Sequence, residues 1–438
     1  MKNVAILIRD QVEATSFIDT HEHLPDESTR LAFKPIDGRR DWDQIIENKI
    51  DDWSFLFTHY VCDDMASAGI HADWMARFWS ESAPAEVKFD WIAPYWRHVR
   101  HTGFGQAIRH TLKLLYGEDD LTRSSAPRIA ERYTDLRRPG LYNHVLREVA
   151  RIDHCHVNST TNSVFHVTER PDLLRQDLDF TRLANPVEFP RMALETGVQP
   201  TTLDVWLNQI DEMFRVHGPS ASAVKLKTAY ARGLHFSAFD QARAESAFRH
   251  LGTIAFGPDD QRDIHDFLIR YVVRRASESG LAIKFHTGYH SSHDWMPLSR
   301  VRSNQGDLCR LYEDFPDARF VIFHIGYPYH HEVVAIAKHY HNVFVDMCWA
   351  WLLDPAESIQ FLRSFITAVP HNKLFAFGGD YFVVEPVAGH AHLARLGITR
   401  SIVSLIEDGL IAVEEAPPLI DAIMRGNALA TFGHAPVS

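Results

Sequence analysis

Two textures of apolar and polar positions divide the chain. Between about residues 26 and 150, apolar side chains recur at helical spacing, as over 43–57, 63–79 and 104–116, and β-branched runs are few. After about residue 150, short apolar runs alternate with helical stretches, the rhythm of βα units and a parallel sheet. These runs fall at 149–157, 180–183, 223–229, 281–285, 320–323, 343–347 and 374–377, and an earlier one at 17–20 brings the number to eight. Eight such units predict an α/β chain folded as a (β/α)8 (TIM) barrel, with a large helical insertion after strand one. Residues 1–25 then carry the first barrel strand, 26–150 the insertion and 151–438 the remainder of the barrel.

In such a barrel, functional side chains stand at the C-terminal ends of the strands. Strand one runs into His21, Glu22 and His23, and side chains at i and i+2 of a strand share a face, so the two imidazoles can share one ion. The pattern H-x-H occurs four times among 27 histidines, so position must decide between the pairs. His339 and His341 precede their strand, which puts them at the opposite end of the barrel. His390 and His392 fall in a helix, where two residues subtend about 200°. His154 and His156 close strand two on the functional face and read as lining the pocket. His286, His324 and Asp380 each stand where a strand gives way to a loop, at separations of 38 and 56 residues that fit strands five, six and eight.

Composition narrows the classes further. The 438 residues are 45% hydrophobic, enough for a sizeable core, and the net charge of -12 with no basic run argues against nucleic acid. No window approaches the roughly 20 apolar residues of a membrane span, and the N-terminal apolar stretch is broken by Arg9 and Asp10. Cys62, Cys155, Cys309 and Cys348 form no C-x-x-C pair, so neither a disulfide framework nor a thiolate zinc cluster is indicated, and a reducing cytoplasm is the expected location. The partner expected is a small molecule, and the composition leaves room for a homo-oligomer. An aromatic and basic cluster in the insertion, including Trp91, Tyr95, Trp96 and Arg97, could cover the site and hold an anionic substrate, although aromatics at helical spacing also serve simple packing. Arg232, just past strand four, has the planar fork that suits a carboxylate.

The strand-one H-x-H, the histidines ending strands five and six and the aspartate after strand eight together resemble the amidohydrolase superfamily. The segment IMRGNALATF (423–432) is similar to the closing helix of its amidohydrolase-2 branch. An enlarged helical region after strand one is shared with uronate isomerases and with the nodulin-like domains fused to glutamine-synthetase-like proteins. The latter also have a strand four similar to VKLKTAYARGL (224–234). The resemblance implies one divalent ion held by His21, His23, His286 and Asp380, a ligand set that suits Zn2+, with Mn2+ or Fe2+ as alternatives. It implies Asp380 as the base for a metal-activated water and His324 as the residue that orients the water or polarises a carbonyl. Lys225 and Lys227 share a strand face and raise the question of a second ion; one ion is expected. The expected activity is hydrolysis of a C–N amide or a lactone in a small anionic molecule. Isomerisation of a uronate, metal-dependent decarboxylation, or a metal-binding relative without turnover are the alternatives.

Overall fold

The protein, as a computed structural model, is described over residues 2–35, 40–158, 164–182, 185, 197–237, 240–291 and 297–433. Among these residues, nine parallel strand segments form the centre: β1 (Phe17–Glu22), β2 (Ile152–Val157), β3 (Leu174–Gln176), β4 (Leu178–Asp179), β5 (Val224–Leu226), β6 (Ile283–Phe285), β7 (Phe320–Ile322), β8 (Val343–Asp346) and β9 (Leu374–Phe375). β1, β2 and β3 pair in order, and β4 through β9 pair in order. β3 and β4 act as one barrel strand broken at Asp177. Its first half pairs with β2, its second half pairs with β5, and Asp177 itself donates its amide to the Val157 carbonyl at 2.9 Å. The circle closes where β1 meets the chain beyond β9, through Thr20 N to Phe377 O at 3.1 Å and Asp380 N to His21 O at 2.8 Å. Eight strand positions and their crossover helices make an α/β barrel of the TIM type.

Seven of the eight expected runs contain an observed strand. The third does not, because the expected run at 180–183 begins after that strand has ended, and Leu183 lies outside the described residues. The true strand reads LRQDLD and carries no continuous apolar stretch, since its polar side chains are satisfied by charge. Asp177 is fully buried 2.8 Å from Lys284 Nζ, and Asp179 lies 3.0 Å from Lys227 Nζ. The lower end of the barrel is lined by apolar side chains. Ile18, Ala223, Ala282, Val321, Phe323 and Phe375 fill it, and Phe432 of the closing helix (Asn427–Phe432) plugs it from beneath. Asn427 ties that helix to the last strand by donating its amide to the carbonyls of His371 and Leu374.

Between β1 and β2 the chain is helical, including α1 (Ala85–Val99), α2 (Gly103–Tyr116) and α3 (Ala126–Leu136). α2 lies along α4 (Glu385–Glu407), the helix that follows the last strand. At Gly389 the two backbones approach so closely that a Cβ there would stand 1.9 Å from the Ala107 carbonyl oxygen. A buried ion network reinforces the join. The Arg30 guanidinium, with no exposed surface, meets Glu385 Oε1 at 2.6 Å, Asp51 Oδ1 at 3.2 Å and the Tyr133 hydroxyl at 2.7 Å. Removing one partner of such a group strands a buried charge, at a typical cost of about 3–5 kcal/mol. Arg30→Ala is therefore expected to lower the unfolding free energy by about that amount in urea titrations. Arg9→Ala, which removes only an exposed pair with Asp10, should change it by less than about 0.5 kcal/mol. Equal small shifts for the two variants would show that the network does not hold the insertion in place.

Candidate metal centre

The closure seam between the first and last strands is also where metal-type side chains meet. His21 and His23 leave the end of β1 and point to Asp380, whose Oδ1 lies 3.1 Å from Nε2 of each. His23 is oriented from behind, because its Nδ1 donates to the Asn158 carbonyl at 2.9 Å and this leaves the Nε2 lone pair facing inward. Asp380 takes a left-handed φ of 61°, rare for a residue with a side chain, and is pinned by its amide to His21 O and by its carbonyl, which accepts from the Tyr60 hydroxyl. The preceding Gly378–Gly379 step is needed on steric grounds. A Cβ on Gly379 would fall 1.7 Å from Glu22 Oε1, and one on Gly378 would crowd Cys348 Sγ at 3.1 Å and the His21 amide at 3.2 Å.

Electrostatics prepares this group for a cation. Burial opposes charge on Asp380, but His21, His23 and His324 outweigh burial and hold its carboxyl well below the usual range. Burial, aided by the nearby Lys225 ammonium, drives His21 well below the usual imidazole value, so it is neutral at pH 7. Burial likewise keeps His324 neutral against the opposing pull of Asp380. Neutral imidazoles around an ionised carboxylate are the protonation states a divalent ion requires of its ligands. Lys225 Nζ, pulled down to about 7 chiefly by burial, sits 3.4 Å from His21 Nε2 and over the Phe323 ring. Lys227 lies past the end of β5, where strand alternation has stopped, and is paired with Asp179.

Several residues expected at the site stand elsewhere. His286 belongs to neither converging trio among the described residues. Its Nδ1 lies 3.1 Å from His324 Nε2 and its Nε2 lies 3.3 Å from the Tyr289 carbonyl, so His324 stands between it and Asp380. His156 sits lower in the barrel, with Nδ1 3.3 Å from Lys284 Nζ and its ring against Phe432, and His154 is buried behind it. They do not line the strand-end site. Arg97 is exposed on α1 against His98. Arg232 is paired with Asp266 at 2.7 Å and donates to the His235 carbonyl, which ties its guanidinium to the fold.

Two residues not foreseen do reach the site from the insertion. Tyr60 stacks on Trp349 at 4.5 Å while its hydroxyl holds the Asp380 carbonyl, and His59 stacks on Tyr60 and packs edge-on to Phe382, which in turn stacks on His23. The local signal was the break between a 3-10 turn (Trp53–Phe57) and a short helix (Val61–Ser67), where Tyr60 adopts φ 64°. Cys348 is the third addition, two residues beyond β8, with a ring nitrogen of His324 and an Asp380 oxygen within 4.8 Å of its sulfur.

Comparison with known proteins bears on this arrangement. Residues 227–434 match the family model described as amidohydrolase. Over that part, a little under half of its length, the chain resembles the amidohydrolase family. Among curated proteins it is similar to protein fluG of Emericella nidulans, 22% identical over 212 residues, or 45% of this chain and 24% of that one. The chain thus spans about a quarter of that relative's length. Among solved structures, the barrel resembles glucuronate isomerase from Caulobacter crescentus, with TM-score 0.78, 14% identity, and 99% and 95% of the two chains covered. It also resembles uronate isomerase from Thermotoga maritima, with TM-score 0.75, 16% identity, and 98% and 97% covered. At such identities the likeness establishes the fold.

His21 and His23 converge on Asp380, and His286 belongs to neither converging group among the described residues. His21→Ala or His23→Ala is expected to lower metal content of the purified protein at least tenfold by elemental analysis, whereas His286→Ala should keep most of it. Equal losses for all three would return His286 to the ligand set.

Proposed function

We propose that the protein is a metal-dependent hydrolase that cleaves a C–N amide or lactone bond in a small molecule. His21, His23 and Asp380 would hold one divalent ion, Zn2+ being the best match to two imidazoles and a carboxylate. Such an ion supplies Lewis acidity to a carbonyl and acidity to a water. The observation that carries the reading is the buried Asp380 carboxylate, set between the β1 histidines on one side and His324 on the other.

Each remaining part of the chemistry falls to a residue of the chain. Asp380 accepts the proton of the attacking water and returns it to the leaving nitrogen or oxygen. His324, with Nε2 3.7 Å from Asp380 Oδ2, orients the water or polarises the substrate carbonyl. Tyr60 fixes the main chain of Asp380 and, with Trp349, covers the site from the insertion side. Of the two arginines expected to meet a carboxylate, Arg232 is held by Asp266 and Arg97 is exposed on α1. Four free cysteines suit a reducing cytoplasm.

A second reading, isomerisation of a uronate, has one specific support. The likeness to the two uronate isomerases runs through the helical insertion, and the insertion delivers His59 and Tyr60 to the centre. There Asp380 would carry a proton between adjacent carbons of the open-chain sugar acid.

Zinc- and manganese-loaded protein should hydrolyse members of an amide and lactone panel. Turnover of hexuronates with none of that panel would replace the first reading by the second. Under either reading Asp380→Asn should retain most of its metal while kcat falls by about 10²- to 10⁴-fold, the usual worth of a general base. Near wild-type kcat at full metal occupancy would remove Asp380 from the base role.

A further inference from the structure

Polar side chains without partners gather in the loops after β5 and β6, two strands that pair side by side. His290, past the end of β6, is buried, and neither ring nitrogen reaches a partner in hydrogen-bonding geometry among the described residues. Burial and the nearby Arg300 guanidinium bring its imidazole down to about 4 against the pull of the Gly288 carbonyl, so the ring is neutral at pH 7 and keeps one N–H to donate. Arg300 itself is half-buried at the head of a short helix (Val301–Asp307). Among the described residues its guanidinium forms no ion pair and makes a single long contact, Nη1 to the Ala229 carbonyl at 3.5 Å.

Two more groups nearby are left in the same state. Thr228, on the turn that offers that carbonyl, is buried with its hydroxyl unbonded. Asn304, one helical turn beyond Arg300 on the same face, is buried with both amide atoms unbonded. Buried polar groups are hydrogen-bonded in the great majority of cases, so three such residues around one unpaired arginine call for an occupant. The group also adjoins the metal centre. The Tyr230 ring lies 4.4 Å from that of His290 and 4.6 Å from that of His286, and the two imidazoles are 4.5 Å apart. His286 in turn meets His324, which faces Asp380, so a line of rings leads from Asp380 to Arg300.

We propose that Arg300 and His290 form the receptor for a carboxylate carried by the substrate, away from the bond that is cleaved. This deepens the hydrolase reading, on whose metal position it rests, by making the substrate an acid. A guanidinium presents paired N–H donors that match the two oxygens of one carboxylate in shape and charge, and the neutral imidazole supplies a further donor. A cation would meet the charge of Arg300 with no acid to offset it.

Hydroxamates test the assignment by binding alone, because their two oxygens anchor on zinc and leave a tail free to reach Arg300. Zinc-loaded full-length protein is titrated by calorimetry with hydroxamates whose tails, of two to five methylenes, end in a carboxylate or in the matching carboxamide, and with acetohydroxamate. At one tail length or more the carboxylate form should bind about ten- to a hundredfold tighter than its carboxamide twin, the usual worth of hydrogen bonds to a charged group. Arg300→Gln should abolish that preference, Arg300→Lys should keep part of it and His290→Phe should narrow it. Zinc content and acetohydroxamate affinity should match the wild type in all three, which reports that they fold. Equal affinity of the wild type for both twins at every length would overturn the proposal, and so would a preference that survives in Arg300→Gln. Failure of acetohydroxamate to bind the wild type would defeat the metal position and the proposal with it. A clear carboxylate preference in a protein inert on the amide and lactone panel would strike the hydrolase reading and leave the receptor standing.

Discussion

Everything at the functional end of this barrel depends on one buried carboxylate. Asp380 is nearly solvent-free, and a charge in that position is tolerated only when paired. The pairing groups come from the strand that opens the barrel and from a neighbouring strand end, while Asp380 itself comes from the strand that closes it. The hydrogen bonds that seal the seam, Asp380 N to His21 O and His23 N to Tyr381 O, are made by the same residues whose side chains converge. Closing the sheet and assembling the site are one event, since a shift of one residue at the seam would turn His21 and His23 to the other face.

Beneath the site the barrel departs from a purely apolar core. Lys284 lies inside it without exposed surface, and its ammonium meets both oxygens of Asp177, the Thr20 carbonyl and the region of His156. Thr20 in turn donates to Asp346 Oδ2, and Asp346 Oδ1 accepts the amide of Cys348. A chain of charge-assisted bonds thus connects β6, β3–β4, β1 and β8 in one layer, directly under the strand ends. Such networks fix orientation as much as they stabilise, because each member left unpaired in a low dielectric is costly. The residues that must be held to fractions of an ångström stand on a layer with few alternative arrangements.

Sequence and structure agree where a residue's place follows from local periodicity. Strand positions were readable because β1, β7 and β8 are short apolar runs before a turn, and the meeting of His21, His23, His324 and Asp380 follows from strand ends facing one way. The third strand escaped because its polar side chains are paired across the barrel with lysines distant in sequence, a relation no window can show. Arg232 looked like a carboxylate binder until Asp266, on a helix more than thirty residues later, claimed it. His286 was placed at the right strand end, but which of two neighbouring imidazoles faces the centre depends on the left-handed turn at His324, not on spacing. Cys348 carried no motif at all, since a single thiol becomes chemically interesting only beside what it faces.

The insertion shows why fold likeness and reaction do not determine each other. As a set of helices it packs Trp53, Phe57, Phe78 and Trp96 edge to face, and these rings are continuous with the barrel core. It is also joined to the barrel by Arg30 and Gly389, and at one point it reaches inward, where Tyr60 in a strained conformation grips the main chain of Asp380. A strained residue kept at that contact means that the position of Asp380 is set from outside the barrel as well as from within. In a fold whose loops vary freely, this makes the insertion part of the site's geometry, and the bond an active Asp380 carboxylate would act on depends on what the insertion places opposite it.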